Sequence, residues 1–529
     1  MTGPVPTVDV PDVTLPEFLF SDLDEATAAR TALVDGVSGA TTTYGELVER
    51  VDRVAGALAA RGVRRGDVVA LHCPNTPAFV LAFFGALRAG AVVTPVNSLS
   101  VARDVEGQLR DSGASLLVTV GALLPQSGPA AEAVGLTAEA VVVLDGAEGH
   151  PDLATLLADG SPAPEVDVDP GDVAVLPYSS GTTGLPKGVR LSHRNLVANA
   201  VQSLAALDVH ADDVVPAVLP FFHIYGLTVL LDVALRARAV LVTMPRFDLA
   251  AYLTLIEERR ATYLFIAPPV ALALAKHPLV DRHDLSSVRA VLSGAAPLDA
   301  DLLGAVGERL GARARQGYGM TEASPVTHVG PFDRDDLSLG SIGVPVPGTE
   351  MRVVSIDTGD DVPVPAEGMS ERGELWVRGP QVMLGYLHRD EETRATVDAE
   401  GWLRTGDVVT VDHLGATFVV DRLKELIKYK GYQVAPAELE GLLLGHPGIA
   451  DAAVVPALDD EGQEIPKAFV VLADGADAAD LDEDAVVAWV AERVAPHQKV
   501  RAVAFVDSVP RSGTGTILRR QLRDSGAVA

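Results

Sequence analysis

The most constraining feature of the chain is an alternation, from about Tyr44 onward, of stretches with helical spacing and short Val- and Leu-rich runs. The stretch "YGELVERVDRVAGALAARG" has the apolar period of a helix, "DVVALHCPN" has the pattern of a strand and a turn, and "TPAFVLAFFGALRAG" is again helical. The further strand candidates are "SLLVTV", "AVVVL", "AVLVTM", "ATYLFIAPP" and "VRAVLSGAAPL". Alternating strands and helices predict an α/β fold with layered sheets.

The pattern changes past Gly340, where glycine and proline interrupt strand candidates such as "GVPVPGTEMRVV" and "GELWVRGP". These predict an antiparallel or β-barrel-like portion. After Asp421 the predicted order is helix, strand, acidic turn, strand, helix and strand, which makes a compact α+β unit of domain size. Since 529 residues exceed one ordinary core, we expect a large N-terminal domain over residues 1–422 and a small C-terminal domain over residues 423–529.

The net charge of −30, from 72 acidic and 42 basic residues, argues against a nucleic acid or an anionic membrane as a general partner. An anionic small-molecule substrate would therefore need a local basic site. The single cysteine, Cys73, excludes an intramolecular disulfide and a cysteine-based metal cluster, and we expect it in the core. The chain opens without a secretory leader, and its apolar runs are shorter than the ~20 residues of a membrane helix. We therefore expect a cytoplasmic protein.

The stretch "YSSGTTGLPKGV" combines glycines and hydroxyl side chains with one lysine. It is not a Walker phosphate loop, because Lys187 follows Pro186 and precedes Gly188. It lies between a strand candidate, "VAVLPY", and a helix that Ser192 would cap. Such a turn can surround phosphate oxygens with amides and hydroxyls while the lysine adds positive charge. The residues predicted to hold phosphates are Ser179, Ser180, Gly181, Thr182, Thr183, Gly184 and Lys187.

Further motifs accompany this loop. They are "LPFFHIYGL" at Leu219, "LSGAAPL" at Leu292, "QGYGMTEASPV" at Gln316, "GWLRTGD" at Gly401 and "DRLKELIKYKGYQVAPAELE" at Asp421. In this order, the motifs resemble those of the adenylate-forming superfamily, which includes acyl-CoA synthetases, 4-coumarate:CoA ligases, beetle luciferases and peptide-synthetase adenylation domains. The resemblance covers nearly the whole chain and points to the branch of 4-coumarate:CoA ligases.

The resemblance implies an enzyme that joins a carboxylate to the α-phosphate of ATP, releases pyrophosphate and passes the acyl group to the thiol of CoA. Bringing two anions together requires cations and amide dipoles, among them Mg²⁺. By resemblance, Glu322 and Thr182 would hold Mg²⁺. Tyr318 would stack on adenine and Asp407 would accept the ribose hydroxyls, although each residue type also occurs in ordinary core and turn positions. The other implied ATP ligands are Ala295, Ala296, Pro297, Gln316, Gly317, Gly319, Thr321 and Arg422.

The resemblance also implies that the C-terminal domain is mobile and presents a different face for each half-reaction. Lys424 lies at the family's hinge position in the pattern R-x-K-x₆-G. Lys428 and Gln433 match the face that forms the thioester, and Lys430 and Gly431 lie at the CoA channel. A solvated strand edge is the alternative explanation for these lysines. In the N-terminal domain, the counterpart of His223 lines the gap between the carboxylate and the phosphate.

One residue departs from the family pattern. Adenylating relatives end near P-x-S-x-x-G-K-[IV]-x-R-R, whereas this chain reads "PRSGTGTILRR" and has Thr516 in place of the lysine. Threonine carries no positive charge to bridge the carboxylate and the α-phosphate. We therefore expect slow adenylation with the ATP, acid and CoA sites intact, in an altered enzyme or in a natural, catalytically silent binder of nucleotide or acyl-adenylate.

The resemblance to 4-coumarate:CoA ligases implies a flat pocket for 4-coumarate or cinnamate-type phenylpropanoid acids. The residues that would shape it are Tyr225, Gly294, Gly319, Pro325 and Val326. The same motifs occur in medium-chain fatty acyl-CoA ligases, which leaves that activity open. A luciferase-like oxygenase, an amide-forming ligase and a carrier-loading domain are further alternatives.

Overall fold

The computed structural model describes residues 8–179, 186–430, 432–459, 463–473, 481–511 and 517–525. The first part of the chain alternates helices and strands as the sequence predicts. Its helices are α1 (Leu15–Phe20), α2 (Glu25–Ala28), α3 (Tyr44–Ala60), α4 (Pro77–Arg88), α5 (Ala102–Ser112), α6 (Leu124–Ala133), α7 (Leu153–Ala158) and α8 (His193–Leu207). Its strands are β1 (Thr31–Asp35), β2 (Thr41–Thr43), β3 (Val68–His72), β4 (Val92–Pro95), β5 (Leu116–Thr119), β6 (Val141–Val143), β7 (Val173–Val175), β8 (Tyr178–Ser179) and β9 (Lys187–Ser192).

The next part continues the alternation and adds a π-helix, Tyr225–Asp232. Its strands are β10 (Val214–Ala217), β11 (Val240–Thr243), β12 (Tyr263–Ile266), β13 (Ala290–Ser293), β14 (Arg313–Gly319), β15 (Val326–Val329) and β16 (Val344–Pro345). Its helices are α9 (Val233–Arg236), α10 (Leu249–Arg259), α11 (Pro268–Lys276) and α12 (Ala300–Leu310).

The portion past Gly340 is rich in strands, as predicted. It contains β17 (Glu350–Val354), β18 (Gly373–Arg378), β19 (Gly385–Tyr386), α13 (Asp390–Thr396), β20 (Leu403–Val411) and β21 (Thr417–Arg422). The C-terminal part contains β22 (Ile427–Tyr429), β23 (Tyr432–Val434), α14 (Pro436–Leu444), β24 (Ile449–Leu458), β25 (Glu464–Leu472), α15 (Glu483–Ala491), β26 (Ala502–Phe505) and α16 (Arg519–Ser525).

The strands form layered sheets, which confirms the α/β fold. Two sheets of the N-terminal part have the orders β19-β9-β7-β4-β3-β5-β6, with β8 beside β9, and β12-β13-β14-β15-β16. A third has the order β10-β11-β1-β2, and four of the strands past Gly340 form the antiparallel sheet β17-β18-β20-β21. The C-terminal part has the hairpin β22-β23 and the sheet β24-β25-β26.

Local signals explain where the helices near the site begin. Helix α8 is capped by Ser192, whose hydroxyl accepts the amide of Asn195 at 3.1 Å, while the Asn195 side chain accepts the Ser192 amide at 3.0 Å. This reciprocal capping satisfies amides that have no partner within the helix. The remaining Asn195 amide hydrogens bond the carbonyls of Pro380 and Val382, so the cap also fixes the segment before β19.

Apolar side chains form separate cores in the two parts of the chain. One large core joins the layers of the N-terminal part and includes Phe83, Phe221 and Tyr263, and Cys73 is buried within it as predicted. A second core contains only residues between 427 and 503, such as Ile427 and Leu443. The domain boundary between residues 422 and 423 stays a prediction. No helix in the described ranges is long and apolar enough to cross a membrane.

Candidate active site

The predicted phosphate loop, residues 180–186, lies between two strands that pair with each other. Strands β8 and β9 are antiparallel, and Ser179 is the register partner of Lys187. Ser180, Gly181, Thr182, Thr183 and Gly184 lie outside the described residues, so their predicted contacts with phosphate stay predictions. Both ends of the loop are therefore held by the sheet.

Lys187 lies beside a carboxylate of the short helix α13. Its Nζ is 2.5 Å from Glu392 Oε2 and 4.9 Å from the ring centroid of Tyr386. The ammonium group thus has a negative neighbour on one side and an aromatic face on the other. Its hydrogen bond with Glu392 is the main reason why the pKa of that carboxyl group lies below its usual value. The lysine is well positioned to hold an anionic oxygen.

Glu322 is a buried carboxylate on the one-turn 3₁₀ helix Thr321–Ala323. It accepts hydrogen bonds from Tyr386 Oη at 2.8 Å and from Ser179 Oγ at 3.3 Å. Burial, followed by the negative charge of Glu322, raises the pKa of Tyr386, so the phenol keeps its proton. A carboxylate held by hydroxyl groups is a suitable ligand for a hard cation such as Mg²⁺.

Asp407 forms the centre of a second polar cluster. Its carboxylate accepts a hydrogen bond from the hydroxyl of Tyr318, and Arg422 Nε lies 3.4 Å away. Asp407 in β20 and Arg422 in β21 are register partners, which explains their proximity. Burial raises the pKa of Asp407 and also raises that of Tyr318 well above its usual value. The structure brings the three predicted adenosine ligands together.

The predicted adenine segment follows β13. Ala295 has φ +73°, a left-handed conformation that residues other than glycine seldom adopt. The Gln316 side chain accepts the Leu298 amide at 3.1 Å and donates to the Leu298 carbonyl at 2.9 Å. Gln316 therefore fixes the segment that contains Ala296 and Pro297. Its own contact with nucleotide, like that of Gly317 and Thr321, stays a prediction.

His223 precedes the π-helix and is held by a backbone contact. Its Nδ1 accepts the amide of Tyr225 at 3.2 Å, which in the neutral ring leaves the proton on Nε2. Burial lowers the pKa of His223 to about 4, so the ring is neutral at pH 7. The side chain can therefore donate one hydrogen bond into the site without carrying charge.

Tyr225 and Gly294 pack directly against each other. The Tyr225 hydroxyl donates to the Leu292 carbonyl at 3.2 Å, and a Cβ added at Gly294 would lie 3.0 Å from two ring carbons. A Cβ at Gly319 would lie 2.2 Å from the Pro325 carbonyl oxygen. Close packing against backbone thus requires glycine at position 319, whereas a Cβ at position 294 would displace the Tyr225 ring. Tyr225 therefore contacts Gly294, and Gly319 contacts Pro325, as two separate pairs among the residues predicted for the acyl pocket.

Val326, also predicted for the acyl pocket, is fixed by a residue that the sequence analysis missed. The side chain of Asn199 donates to the Val326 carbonyl at 2.8 Å and accepts the Val326 amide at 3.0 Å. Asn199 lies on α8, far from Val326 in the sequence. The available signal was an asparagine among the apolar residues of a predicted helix. Tyr386 and Glu392 were missed as well.

The predicted thioester face lies on the β22-β23 hairpin. Lys428 and Gln433 are register partners, and Lys424, Lys428 and Lys430 are exposed. Lys430 has φ +49°, and its Nζ lies 5.4 Å from the ring centroid of Tyr429. Gly431 lies outside the described residues. The hinge at Lys424 and the roles of these residues stay predictions.

The segment that follows Thr516 is anchored by an arginine, although Thr516 itself lies outside the described residues. Arg519 pairs with Glu425, next to the predicted hinge, and with Glu440 Oε2 on α14 at 2.7 Å. Burial raises the pKa of Glu440, which Arg519 opposes. Arg519 was not predicted, and its only signal in the sequence is the "RR" pair.

Comparisons with known proteins show which family the chain resembles. The AMP-binding enzyme model matches residues 21–387, and the model of the AMP-binding enzyme C-terminal domain matches residues 438–516. A 4-coumarate:CoA ligase 1 of Petunia hybrida is 42% identical over 533 residues, which cover 97% of this chain and 95% of the relative.

Solved structures also match nearly the whole chain, at lower sequence identity. ATP-bound MatB from Rhodopseudomonas palustris is 30% identical with a TM-score of 0.87, over 97% of this chain and 99% of that chain. The anthranilate CoA ligase AuaEII in complex with anthranoyl-AMP is 28% identical with a TM-score of 0.89, over 98% of each chain.

Proposed function

This chain belongs to the AMP-binding enzyme family, and we propose that its substrate is an aromatic acid of the 4-coumarate or cinnamate type. It is an ATP-dependent acid:CoA ligase that works through an acyl-adenylate. The observation that carries the proposed substrate is the packing of the Tyr225 ring on Gly294. A tyrosine ring backed by glycine can serve as one flat apolar wall of a pocket, on which a phenyl ring would stack.

The Tyr225 hydroxyl supports a phenolic acid in particular. It donates its hydrogen to the Leu292 carbonyl at 3.2 Å, so its oxygen lone pairs remain for an incoming donor. The 4-hydroxyl of 4-coumarate is such a donor. A fatty acid has no group that would use this oxygen, which favours the aromatic acid over octanoate.

The nucleotide would occupy the two polar clusters. Glu322 would hold Mg²⁺, which reduces the charge of the triphosphate, and Lys187 would bind its β- and γ-phosphates. Asp407 and Arg422 would hold the ribose, and Tyr318 would lie against adenine. The neutral His223 would place its Nε2 proton between the acid and the α-phosphate.

After adenylation, the C-terminal domain would rotate about Lys424 and bring Lys428 and Gln433 to the adenylate. CoA would enter past Lys430 and Gly431, and its thiol would displace AMP. We propose that Thr516 slows adenylation and leaves this second half-reaction intact, because only the first half-reaction uses the family lysine.

Competition between acids tests the proposed substrate. In a Thr516→Lys enzyme, 4-coumarate or cinnamate offered together with an equal concentration of octanoate should appear as the main thioester in chromatography of the products. A preference for octanoate would contradict the proposal and support a medium-chain fatty acyl-CoA ligase. An amine adduct formed in preference to the thioester would support an amide-forming ligase.

Gly294→Ala should lower kcat/KM for 4-coumaroyl-CoA formation by about 10-fold, the scale of one misplaced methyl group in an apolar pocket. The added Cβ would press on the Tyr225 ring at 3.0 Å and displace it from the pocket wall. The measurement is steady-state kinetics in the Thr516→Lys background.

Gly304→Ala is the matched control, because a Cβ there would meet Leu339 at 3.8 Å, an ordinary contact. Equal losses in the two variants would indicate a general effect on folding rather than a change in the acyl pocket.

A further inference from the structure

The ion pair between Lys187 and Glu392 lies where the resemblance puts the end of the triphosphate. The Lys187 side chain is 16% exposed and that of Glu392 is 39% exposed, with 2.5 Å between Nζ and Oε2. A carboxylate oxygen at this distance fills one of the three donor positions of the ammonium group. A phosphate oxygen and the carboxylate would compete for the same charge.

The position of Glu392 is set by the sheet that carries Lys187. Strand β19 pairs with β9 through Tyr386 and Val189, and the Leu387 amide donates to the Gly188 carbonyl at 2.8 Å. Helix α13, which carries Glu392, begins at Asp390, shortly after β19 ends. Glu392 is thus held beside the lysine by the fold.

Thr393 fixes the start of helix α13 on this strand. It accepts the Tyr386 amide through its hydroxyl at 2.9 Å and donates the same hydroxyl to the Arg389 carbonyl at 2.9 Å. The neighbouring carboxylate therefore cannot leave by a shift of the helix alone. Its side chain has to turn.

Glu392 has a second cation within reach. Arg389 Nη1 lies 3.1 Å from Glu392 Oε1, on the same turn of the chain. When a phosphate oxygen binds Lys187, the Glu392 carboxylate can keep its ion pair with Arg389. The exchange therefore leaves neither charge unpaired.

We propose that Glu392 occupies the place of the terminal phosphates of ATP in the nucleotide-free enzyme and is displaced when ATP binds. The inference rests on the proposed role of Lys187 as a phosphate ligand. Glu392 acts as a positioning residue: it holds the lysine ammonium near the Tyr386 ring and returns to it when pyrophosphate leaves. It weakens binding of nucleotides that carry β- and γ-phosphates and leaves AMP binding unchanged.

Glu392→Gln should tighten ATP binding by about five-fold, the equivalent of ~1 kcal/mol for a partly exposed ion pair. The change removes the competing charge and keeps the shape of the side chain. Titration calorimetry of the full-length protein with ATP and Mg²⁺ measures the dissociation constant, and AMP serves as the second ligand. The AMP dissociation constant should stay the same.

Glu391→Gln is the matched control, since Glu391 is the preceding carboxylate of α13 and is exposed. It should leave both dissociation constants unchanged. Unchanged or weaker ATP binding by Glu392→Gln would overturn the inference, as would an equal gain for AMP.

Lys187→Met separates this inference from the proposed function. It should weaken ATP binding, and adding Glu392→Gln to it should bring no further gain. If Lys187→Met weakens ATP binding while Glu392→Gln alone changes nothing, only the competition by Glu392 is wrong. If Lys187→Met binds ATP like the unaltered chain, the phosphate assignment of Lys187 fails and the inference fails with it.

Discussion

Replacing Thr516 with lysine should raise the rate of acyl-adenylate formation by about 10²–10³-fold, the usual effect of one preorganised group that stabilises charge in a transition state. The carboxylate and the α-phosphate repel each other as the new bond forms, and a lysine between them would offset that repulsion. The measurement is ATP–pyrophosphate exchange with saturating 4-coumarate.

Thr516→Met is the control for this prediction, because methionine has a similar reach without the charge. It should leave the exchange as slow as in the unaltered chain. Thioester formation from synthetic 4-coumaroyl-adenylate and CoA should be similar in all three proteins, since it bypasses adenylation. Fast exchange in the unaltered chain would contradict the proposed impairment, and exchange that stays absent in Thr516→Lys would favour a silent binder.

The described residues on either side of position 516 are attached to the C-terminal part. Arg511 forms a β-bridge with Ile517, and its guanidinium lies 2.7 Å from Asp451 Oδ1. On the far side, Arg519 is paired with Glu440. The described residues that flank position 516 are therefore anchored to β24 and α14.

The features that the sequence predicted are those with a local signal. The apolar period of α3, the Ser192 cap of α8 and the Val-rich β13 are each readable within a few residues. The clustering of Tyr318, Asp407 and Arg422 also agrees with the family motifs. Here the resemblance supplied what local patterns cannot, namely which distant segments meet.

The features that the sequence did not predict depend on pairing between distant segments. Strand β19 has only two residues and no period to detect, yet its pairing with β9 brings Tyr386 and Glu392 to Lys187. Tyr386 lies 64 residues beyond Glu322 along the chain. No local pattern reports such a contact, and a charged residue on a short polar helix normally indicates a solvated surface.

The π-helix was also missed, and it ends in an unusual buried acid. Asp232 is fully buried, and neither carboxylate oxygen has a hydrogen-bond partner within the described ranges. Burial raises its pKa well above the usual value, since no nearby cation stabilises the charged form. The carboxyl group therefore keeps its proton to a higher pH in the folded chain than an aspartate does in the unfolded chain.

Asp232→Asn should stabilise the protein relative to the unaltered chain by an amount that grows as the pH rises above about 4, the ordinary pKa of an aspartate in the unfolded chain. The folded pKa is raised, so above the unfolded pKa the folded state binds more protons than the unfolded state. Stability of the unaltered chain is therefore present at low pH and is lost as the pH rises. Asparagine does not titrate, which removes this loss.

The measurement is the free energy of unfolding in urea at several pH values for both proteins, so that the constant difference between the two side chains cancels. Asp167→Asn, at an exposed position, is the control for the effect of the substitution itself. If the difference in unfolding free energy between Asp232→Asn and the unaltered chain does not change with pH, the buried carboxyl group is charged in the folded state. The π-helix would then have to supply a partner for it when the protein is in solution.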